Sequence, residues 1–545
     1  MKKVVTVLLT QIMLTITFAD NPVIQNYYSA DPAPMVYKDR VYLFTSHDED
    51  VTESNFFTMR NWMCYSSADM VNWTDHGIVA SLKDFKWIGT LNNGAWAPQC
   101  VERGGKFYLY VPIQGKGIGV LVADKPTGPF TDPIGKALVN KNGYDDIDPT
   151  AFVDSDGQAY LYWGNPKLWY VKLNENMTSY SGNVVEVSLN EAGFGKRSAY
   201  DAKRPTSYEE GPFFYKRGNL YYMVFAGGPV SEHIGHSTSS GPTGPWTYRG
   251  VIMPSSFSKA AFTNHPGVCD FKGNSYFFYH NQGLPGGSGY KRSVCVEQFT
   301  YKSDGAIPQI ASTTSGPAQV GSLNPYDTVQ AETICLGQGV ETQTCNEGGM
   351  NVTSIESGDY IKVKGVDFGT DGAVSFEARV ASGSNGGKIE LRLGSSSGTL
   401  IGTCDIGNTG GAQTWTSKTC TVTNAKGKND LYLKFTGSGT SLFNFNWWRF
   451  KSDKVGTIAD INRAACNSVK IAADKRVISV SFGSLPFSNK TMTVDVYNMS
   501  GRLIMSKATM FQSDMKLNSE MVQAGMYIVK VSYDKFSIMQ TVNIQ

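Results

Sequence analysis

Asp31, Asp148 and Glu210 each open a copy of one recurring stretch, in which a Pro stands within two residues, a Gly- or Asp-containing turn follows, and an aromatic strand ends the unit. The copies read DPAPMVYKDRVYLF from Asp31, APQCVERGGKFYLY from Ala97, DPTAFVDSDGQAYLY from Asp148, EGPFFYKRGNLYYM from Glu210 and HPGVCDFKGNSYFFY from His265. Two carboxyl groups flanking a glycosidic bond can hydrolyse it. One stays protonated to assist the leaving oxygen, and the other stays ionised to activate water or attack carbon. A third carboxylate beside the acid raises its pKa by like-charge repulsion. In the other two copies the same slot holds Trp96 beside Ala97, and His265, types that stack on sugars or hydrogen-bond to them. A lone Asp before Pro is ordinarily a turn or cap residue; the shared register of five copies is what points beyond that.

The elements that must position these residues follow from the spacing. Copies about 50 to 65 residues apart signal a repeat architecture, and a unit of about 58 residues suits a four-stranded propeller blade with a long outer connection. A second element, seen as YSSADMVNWTDHG, VADKPTGPFTDP, KLNENMTSYSG, STSSGPTGPWTYRG and FTYKSDGAI, occurs once per copy. Residues 20–312 are therefore expected to form a five-bladed β-propeller whose hub gathers positions 31, 148, 210 and 265. A low-complexity stretch near Ala311 to Ser322 reads as a linker. Residues 325–452 alternate strands such as YIKVKGVDF, AVSFEARV, KIELRL and DLYLKF with Gly/Ser turns, the pattern of a β-sandwich. Residues 465–545 read as a third, smaller β unit. The predicted fold class is all-β throughout.

Composition bounds the function classes. A chain of 545 residues exceeds one core. A net charge of +2 with 18% charged residues points to neither nucleic acid nor an anionic membrane. The first nineteen residues, MKKVVTVLLTQIMLTITFA, read as a secretory signal, and no later segment is long and apolar enough to span a bilayer. Nine cysteines in an exported chain permit disulfides, with Cys335–Cys345 and Cys404–Cys420 as the expected local pairs. Cys64, Cys100, Cys269, Cys295 and Cys466 read as small buried apolar residues, and no CxxC is present. GSSSG at Gly394–Gly398 matches a nucleophile pattern in letters only, since it lies in a Ser-rich hairpin with no strand-to-helix elbow. His233 and His236 form HxxH in a strand, where they point to opposite faces.

The blocks ADPAPMVYKDRVYLFTSHDE, DDIDPTAFVDSDGQAYLYWGN and EEGPFFYKRGNLYYMVFAGG resemble the three acidic blocks of family 43 glycoside hydrolases, over about residues 22 to 310. The resemblance implies a five-bladed propeller acting with inversion, with Asp31 as general base, Glu210 as general acid, and Asp148 tuning and orienting Glu210. His265 in NHPG and Arg292 in GYKRSVCVEQF match family positions near the bound sugar or an axial ion, and Trp96 is expected at the sugar. Ala30 before Asp31 favours inversion over the retaining relatives, which carry Asn there. Inversion leaves roughly 6.5 to 9.5 Å between base and acid. Glu209 is expected to turn away from the axis. The acid block and the following sandwich look most like the branch that trims arabinofuranose from arabinoxylan. β-Xylosidases and arabinanases share the same acids, and a non-catalytic carbohydrate-binding surface protein is the alternative from another class.

The sandwich blocks VQAETICLGQGVET, GGMNVTSIESGDYIKVKGVDF, RVASGSNGGKIELRL and LFNFNWWRF resemble carbohydrate-binding module family 6. This implies a structural calcium held by Glu332 with Gln330 and Asn446, where Asn446 replaces a common Asp, and a sugar contact at Asn444. Ser354 and Ala412 stand where that family carries stacking aromatics. Trp415, Trp447 and Trp448 remain, as core residues or as platforms. VDVYNMSGRLI and LNSEMVQAGMYIVKV resemble C-terminal secretion or sorting domains, implying a secreted or cell-surface bacterial protein. A monomer acting on plant cell-wall polysaccharide completes the expectation.

Overall fold

The computed structural model describes residues 21–452 and, further on, 469–474, 477–482, 491–510, 514–518, 523–533 and 536–544. The signal-type segment 1–19 and Cys466 lie outside the described residues. The chain separates into two compact units, Met1–Lys451 and Ser452–Gln545. The fold is all-β; the one α-helix among the described residues is a single turn, Glu191–Phe194.

Five antiparallel sheets follow one another. The first holds β1 (Ser29–Tyr37), β2 (Arg40–His47), β3 (Asn61–Ser67) and β4 (Trp73–Ser81), and the second β5 (Gln99–Arg103), β6 (Lys106–Ile113) and β7 (Gly117–Ala123). The third comprises β8 (Thr150–Val153), β9 (Ala159–Trp163), β10 (Trp169–Leu173) and β11 (Tyr180–Glu186). The fourth comprises β12 (Tyr208–Arg217), β13 (Leu220–Gly227), β14 (His233–Ser239) and β15 (Thr247–Met253). The fifth comprises β16 (Gly267–Phe271), β17 (Asn274–Asn281) and β18 (Ser293–Phe299).

Alternation along each strand serves two neighbours at once. Leu109 and Val111 pack toward the first sheet, while Tyr110 between them packs toward the third. Phe214 joins the third sheet and Phe213 the fifth. Tyr276 and Phe278 pack with Val41, Leu43 and Met63 of the first sheet, so the apolar clusters run from each sheet to the next and from the fifth back to the first. Both faces of these strands are buried, which is why they read as nearly continuous apolar runs. Each such ring removed from water contributes about 1.5–3 kcal/mol. Where the last sheet meets the first, a Cβ on Gly267 would stand 2.5 Å from Pro34 Cδ and 2.6 Å from the Pro32 carbonyl, so only glycine permits that approach.

The second region continues with β19 (Val329–Gln330), β20 (Thr333–Ile334), β21 (Leu336–Gln338), β22 (Glu341–Thr344), β23 (Met350–Thr353), β24 (Tyr360–Asp367), β25 (Ala373–Ala381), β26 (Gly387–Leu393), β27 (Thr399–Ile406), β28 (Trp415–Ala425), β29 (Lys428–Thr436) and β30 (Asn444–Lys451). Two sheets, β22-β23-β30-β25-β28 with β19, and β21-β24-β29-β26-β27, enclose one core that includes Phe376, Phe435, Trp448 and Phe450. Strand β20 leaves them and pairs with β4, Thr333 opposite Thr74 and Ile334 opposite Trp73. Asp75 accepts a hydrogen bond from Thr342 across the same seam and another from Asn26 of its own region. The stretch read as a linker is pinned rather than free: Thr313 donates to Glu297 and Gln319 to Asp69.

Cys345, Cys404 and Cys420 carry free thiols, so neither expected disulfide is formed, although the Cys404 and Cys420 thiols share a hydrogen bond. In the C-terminal unit, Val469–Asp474, Val477–Phe482 and Asp514–Asn518 form one sheet, and Leu503–Met510, Thr491–Asn498, Gly525–Tyr533 and Phe536–Ile544 another.

Candidate active site

The backbone at the three carboxylates departs from regular strand in the same way. Asp31 and Asp148 take φ of 53° and 57°, and Gly211, directly after Glu210, takes 58°. The ladder register slips between Ala30 and Ala33, and on both sides of Glu210. A left-handed conformation costs a non-glycine residue about 1–2 kcal/mol, and such strain clusters at functional positions. Bulges of this kind re-aim a side chain; they mark this slot in the first and fourth sheets, and the positive φ of Asp148 marks it in the third. At Gly211 a Cβ would lie 3.1 Å from His265 Nδ1, so glycine also admits the histidine.

Asp31 is buried in a basic cage. Arg292 Nη1 donates to its Oδ1 at 3.1 Å, and Ser46 Oγ donates to Oδ2. The Asp31 backbone N–H donates to His280 Nδ1 at 3.2 Å, which leaves the imidazole proton on Nε2, facing the Thr263 carbonyl at 2.9 Å. Burial pushes the Asp31 carboxyl up, but Arg292, the two histidines and Ser46 outweigh it and hold the pKa at about 2. Because burial drives His265 to about 4 and His280 to about 3, both rings are neutral near pH 7, and Arg292 with Ser46 carries the effect there. Arg292 is itself held by buried Asp48, to which its backbone N, Nε and Nη2 donate at 2.8, 2.9 and 2.9 Å. Its guanidinium lies 4.6 Å from the centre of the Phe57 ring.

Glu210 sits in the opposite environment. Burial raises its carboxyl, the Asn165 hydrogen bond at 2.5 Å opposes the rise, and the charges of Glu209 and Asp31 add to it; the pKa lies at about 7. Asp148 Oδ2 accepts from the Gly211 N–H at 2.9 Å, gripping the backbone one residue past Glu210. Two residues on, Thr150 Oγ1 accepts from the Phe214 N–H at 2.9 Å. Burial, then the charge of Glu210, drives the Asp148 carboxyl well up as well. Two carboxyl groups whose environments push their pKa values apart form an acid and base pair.

Asp31, Asp148, Glu210, Trp96, His265 and Arg292 all line one cavity of about 210 Å3. Its walls are aromatic: Phe56 and Phe57 on one side, and Trp96, with Tyr144 edge-on at 5.3 Å, on another. Sequence reasoning missed Ser46, Asp48, Asn165 and His280, which lie at or just beyond the ends of second strands. Antiparallel pairing puts those ends beside the starts of the first strands, as Ala30 opposite Ser46, and polar residues there were the available signal. Glu209 is absent from the cavity lining, buried and ion-paired to Arg197 at 2.6 Å and Arg204 at 2.5 Å.

In the second region the Ala331 N–H, between Gln330 and Glu332, donates to the Asn446 carbonyl at 2.8 Å, which sets these three picked residues on neighbouring strands. Asn444 is buried with its amide engaged at both ends, Oδ1 accepting from Thr353 Oγ1 at 2.9 Å and Nδ2 donating to the Ala412 carbonyl at 2.6 Å. Gln330 is exposed, and Asn446 Nδ2 donates to Glu347 at 3.0 Å. Glu332 is buried at the seam with Asp75, its Oε2 without a hydrogen-bond partner. That unpartnered oxygen suits a hard cation, but no group of three or more His, Cys, Asp or Glu side chains placed to hold a metal occurs among the described residues. Trp448 fills the core, while Trp415 and Trp447 are half-buried.

Residues 19–307 match the family described as glycosyl hydrolases family 43. The chain belongs to glycosyl hydrolase family 43. Residues 330–452 of this family-43 enzyme match the carbohydrate binding module of family 6, and residues 474–545 match the secretion system C-terminal sorting domain, which marks the enzyme for export to a secreted or cell-surface location. No helix among the described residues is long and apolar enough to cross a membrane. An arabinoxylan arabinofuranohydrolase of Bacillus subtilis (strain 168) is 37% identical over 79% of this chain and 92% of the relative. One of Paenibacillus polymyxa is 36% identical over 83% of this chain and 77% of the relative. The crystal structure of a family 43 arabinoxylan arabinofuranohydrolase from Bacillus subtilis in complex with cellotetraose superposes with a TM-score of 0.71 at 35% identity, covering 80% of this chain and 98% of that one.

Proposed function

We propose that this enzyme is a secreted arabinoxylan arabinofuranohydrolase that removes α-L-arabinofuranosyl side chains with inversion. The single observation that carries the chemistry is that buried Asp31, held by Arg292 and Ser46, and half-buried Glu210, held by Asn165, line one cavity, an environment that keeps the first carboxyl at about 2 and raises the second to about 7. Near neutral pH Asp31 is ionised and draws a proton from water, while protonated Glu210 gives its proton to the departing xylan oxygen. Asp148 positions the Glu210 backbone, Arg292 keeps Asp31 ionised, and Trp96 and His265 meet the sugar ring. Both long relatives, and the solved structure that covers most of the chain, are named as arabinoxylan arabinofuranohydrolases, and this favours arabinose over xylose as the released sugar.

The architecture in this reading is a five-bladed β-propeller over residues 20–312, a β-sandwich carbohydrate-binding module over 325–452 and a sorting domain over 465–545. The enzyme works as a monomer on plant cell-wall arabinoxylan. A structural calcium belongs to the sandwich with Glu332 as its anchor; chelation by EDTA should then lower the melting temperature, calcium should restore it, and Glu332→Gln should abolish the response. Incubation with wheat arabinoxylan, followed by NMR of the first sugar released, tests the catalytic reading. Arabinose appearing first as the β-anomer supports it; xylose, or arabinose appearing first as the α-anomer, overturns it.

A further inference from the structure

Behind Glu210 lies a chain of side chains that the catalytic scheme does not use. Glu209, on the opposite face of the same strand, is buried and clamps two guanidinium groups, Arg197 Nη1 at 2.6 Å and Arg204 Nε at 2.5 Å. Arg204 Nη2 donates to Asn165 Oδ1 at 3.3 Å, and Asn165 Nδ2 donates to Glu210 Oε2 at 2.5 Å. Asn165 comes from the end of the third sheet and Arg204 from the loop before β12, so this route to Glu210 is independent of the Asp148 grip on Gly211.

We propose that Asn165 and Arg204 are positioning residues that decide which oxygen of Glu210 carries the catalytic proton. An asparagine amide offers a donor at one end and an acceptor at the other, whereas a guanidinium only donates. Arg204 therefore requires Oδ1 on its side and turns the NH2 toward Glu210. With Nδ2–H pointing at Oε2, that oxygen takes the carbonyl role, and the acidic proton resides on Oε1. Glu209 holds Arg204 against the amide and leaves Glu210 free of any direct cation from this side. The arrangement selects a proton position rather than a charge, so its loss should appear in proton donation to the leaving group.

This inference rests on Glu210 as the general acid, and the test separates the two. Arabinofuranosides with a poor leaving group, such as the xylan linkage, need the proton; a 2,4-dinitrophenyl arabinofuranoside does not. Asn165→Ala and Arg204→Met should lower kcat on arabinoxylan by about 10- to 100-fold, a part of the roughly 10²–10⁴-fold that general acid catalysis supplies, and change turnover of the dinitrophenyl substrate less than threefold. Arg204→Lys, which still only donates, should recover part of the loss. The Asn165 hydrogen bond lowers the Glu210 pKa, so the alkaline limb of Asn165→Ala should move to higher pH. Equal losses on both substrates with an unmoved pH profile, or no loss on arabinoxylan, would overturn the proposal. Should Arg204→Met not fold, Asn165→Ala and Arg204→Lys decide the matter with the same pair of substrates. A wild-type enzyme inactive on every arabinofuranoside would instead sink the functional reading.

Discussion

The carboxylate cavity of the first region and the Asn444 neighbourhood of the second both gather polar side chains on strand starts and loops, yet they use them in opposite ways. Around Asp31 and Glu210, two carboxyl groups that line one cavity are partnered unequally, Asp31 by Arg292 and Ser46 and Glu210 by Asn165, so that the two pKa values diverge. Around Asn444, polar groups are spent on one another: Thr353 and Ala412 occupy its amide, Glu347 binds both Asn446 and Arg379, and Ser354 donates to Glu341. The first arrangement stores electrostatic imbalance for a reaction. The second closes its hydrogen bonds and contributes to stability. Burial of polar residues alone therefore does not mark a site; what marks it is burial with an unequal protonation preference.

Substitutions at the reacting pair break this contrast most sharply. Glu210→Gln keeps the Asn165 hydrogen bond but has no proton to give, and Asp31→Asn removes the base. Each should reduce release of arabinose from arabinoxylan by about 10²–10⁴-fold, with the melting temperature little changed, as measured by reducing-sugar assay and thermal denaturation. Retention of more than a tenth of the activity in both variants would remove the distinction between the two regions.

Much of the first region was legible because its signal is repeated. Five copies in one register specified the strands, and the slot at or just before the start of each first strand specified Asp31, Trp96, Asp148, Glu210 and His265, all of which line the cavity. Ser46, Asp48, Asn165 and His280 were not legible from that slot, since they enter from the ends of second strands and the pairing that brings them beside the site exists only in three dimensions. Arg204 lies in an irregular loop with no repeat partner, so nothing in spacing marks it. The second region offered one copy of each position. There Gln330, Asn444 and Asn446 rested on likeness at single residues, and the side-chain hydrogen bonds of Asn444 and Asn446 become visible only in the structure. For Cys345, proximity in sequence set the expectation of a pair, but the residue starts a turn, its N–H bonded to the Gly349 carbonyl, with its thiol free.

Arg292 tests how the imbalance is maintained. Removing the guanidinium in Arg292→Leu leaves Asp48 and Asp31 buried without their cation, which should destabilise the fold by about 3–5 kcal/mol as read by urea denaturation, in addition to abolishing activity. Asp48→Asn added to Arg292→Leu should recover part of the stability and none of the activity. Loss of activity with unchanged stability would mean that water reaches this pair.

The pH profile gives a smaller effect whose sign is fixed. Glu210 acts protonated and its pKa is raised to about 7, so activity should fall as pH rises through that value, about tenfold per unit beyond it. Asp31 acts ionised and is held near 2, so the acid limb should not begin until far below the ordinary carboxylate range. An alkaline limb below pH 5 in kcat would show that Glu210 is solvated like a surface carboxylate.

The smallest effect falls on the other side of the comparison. Asn444→Ala deletes the hydrogen bonds with Thr353 and Ala412, each worth about 1 kcal/mol, and should lower stability by roughly 1–2 kcal/mol in urea melts. Because its amide is engaged at both ends, retardation of the protein in a xylan-containing gel should change less than twofold. Retardation abolished at unchanged stability would transfer Asn444 from the closed network to a sugar contact. It would also mean that the second region, like the first, keeps a polar group in reserve for its ligand.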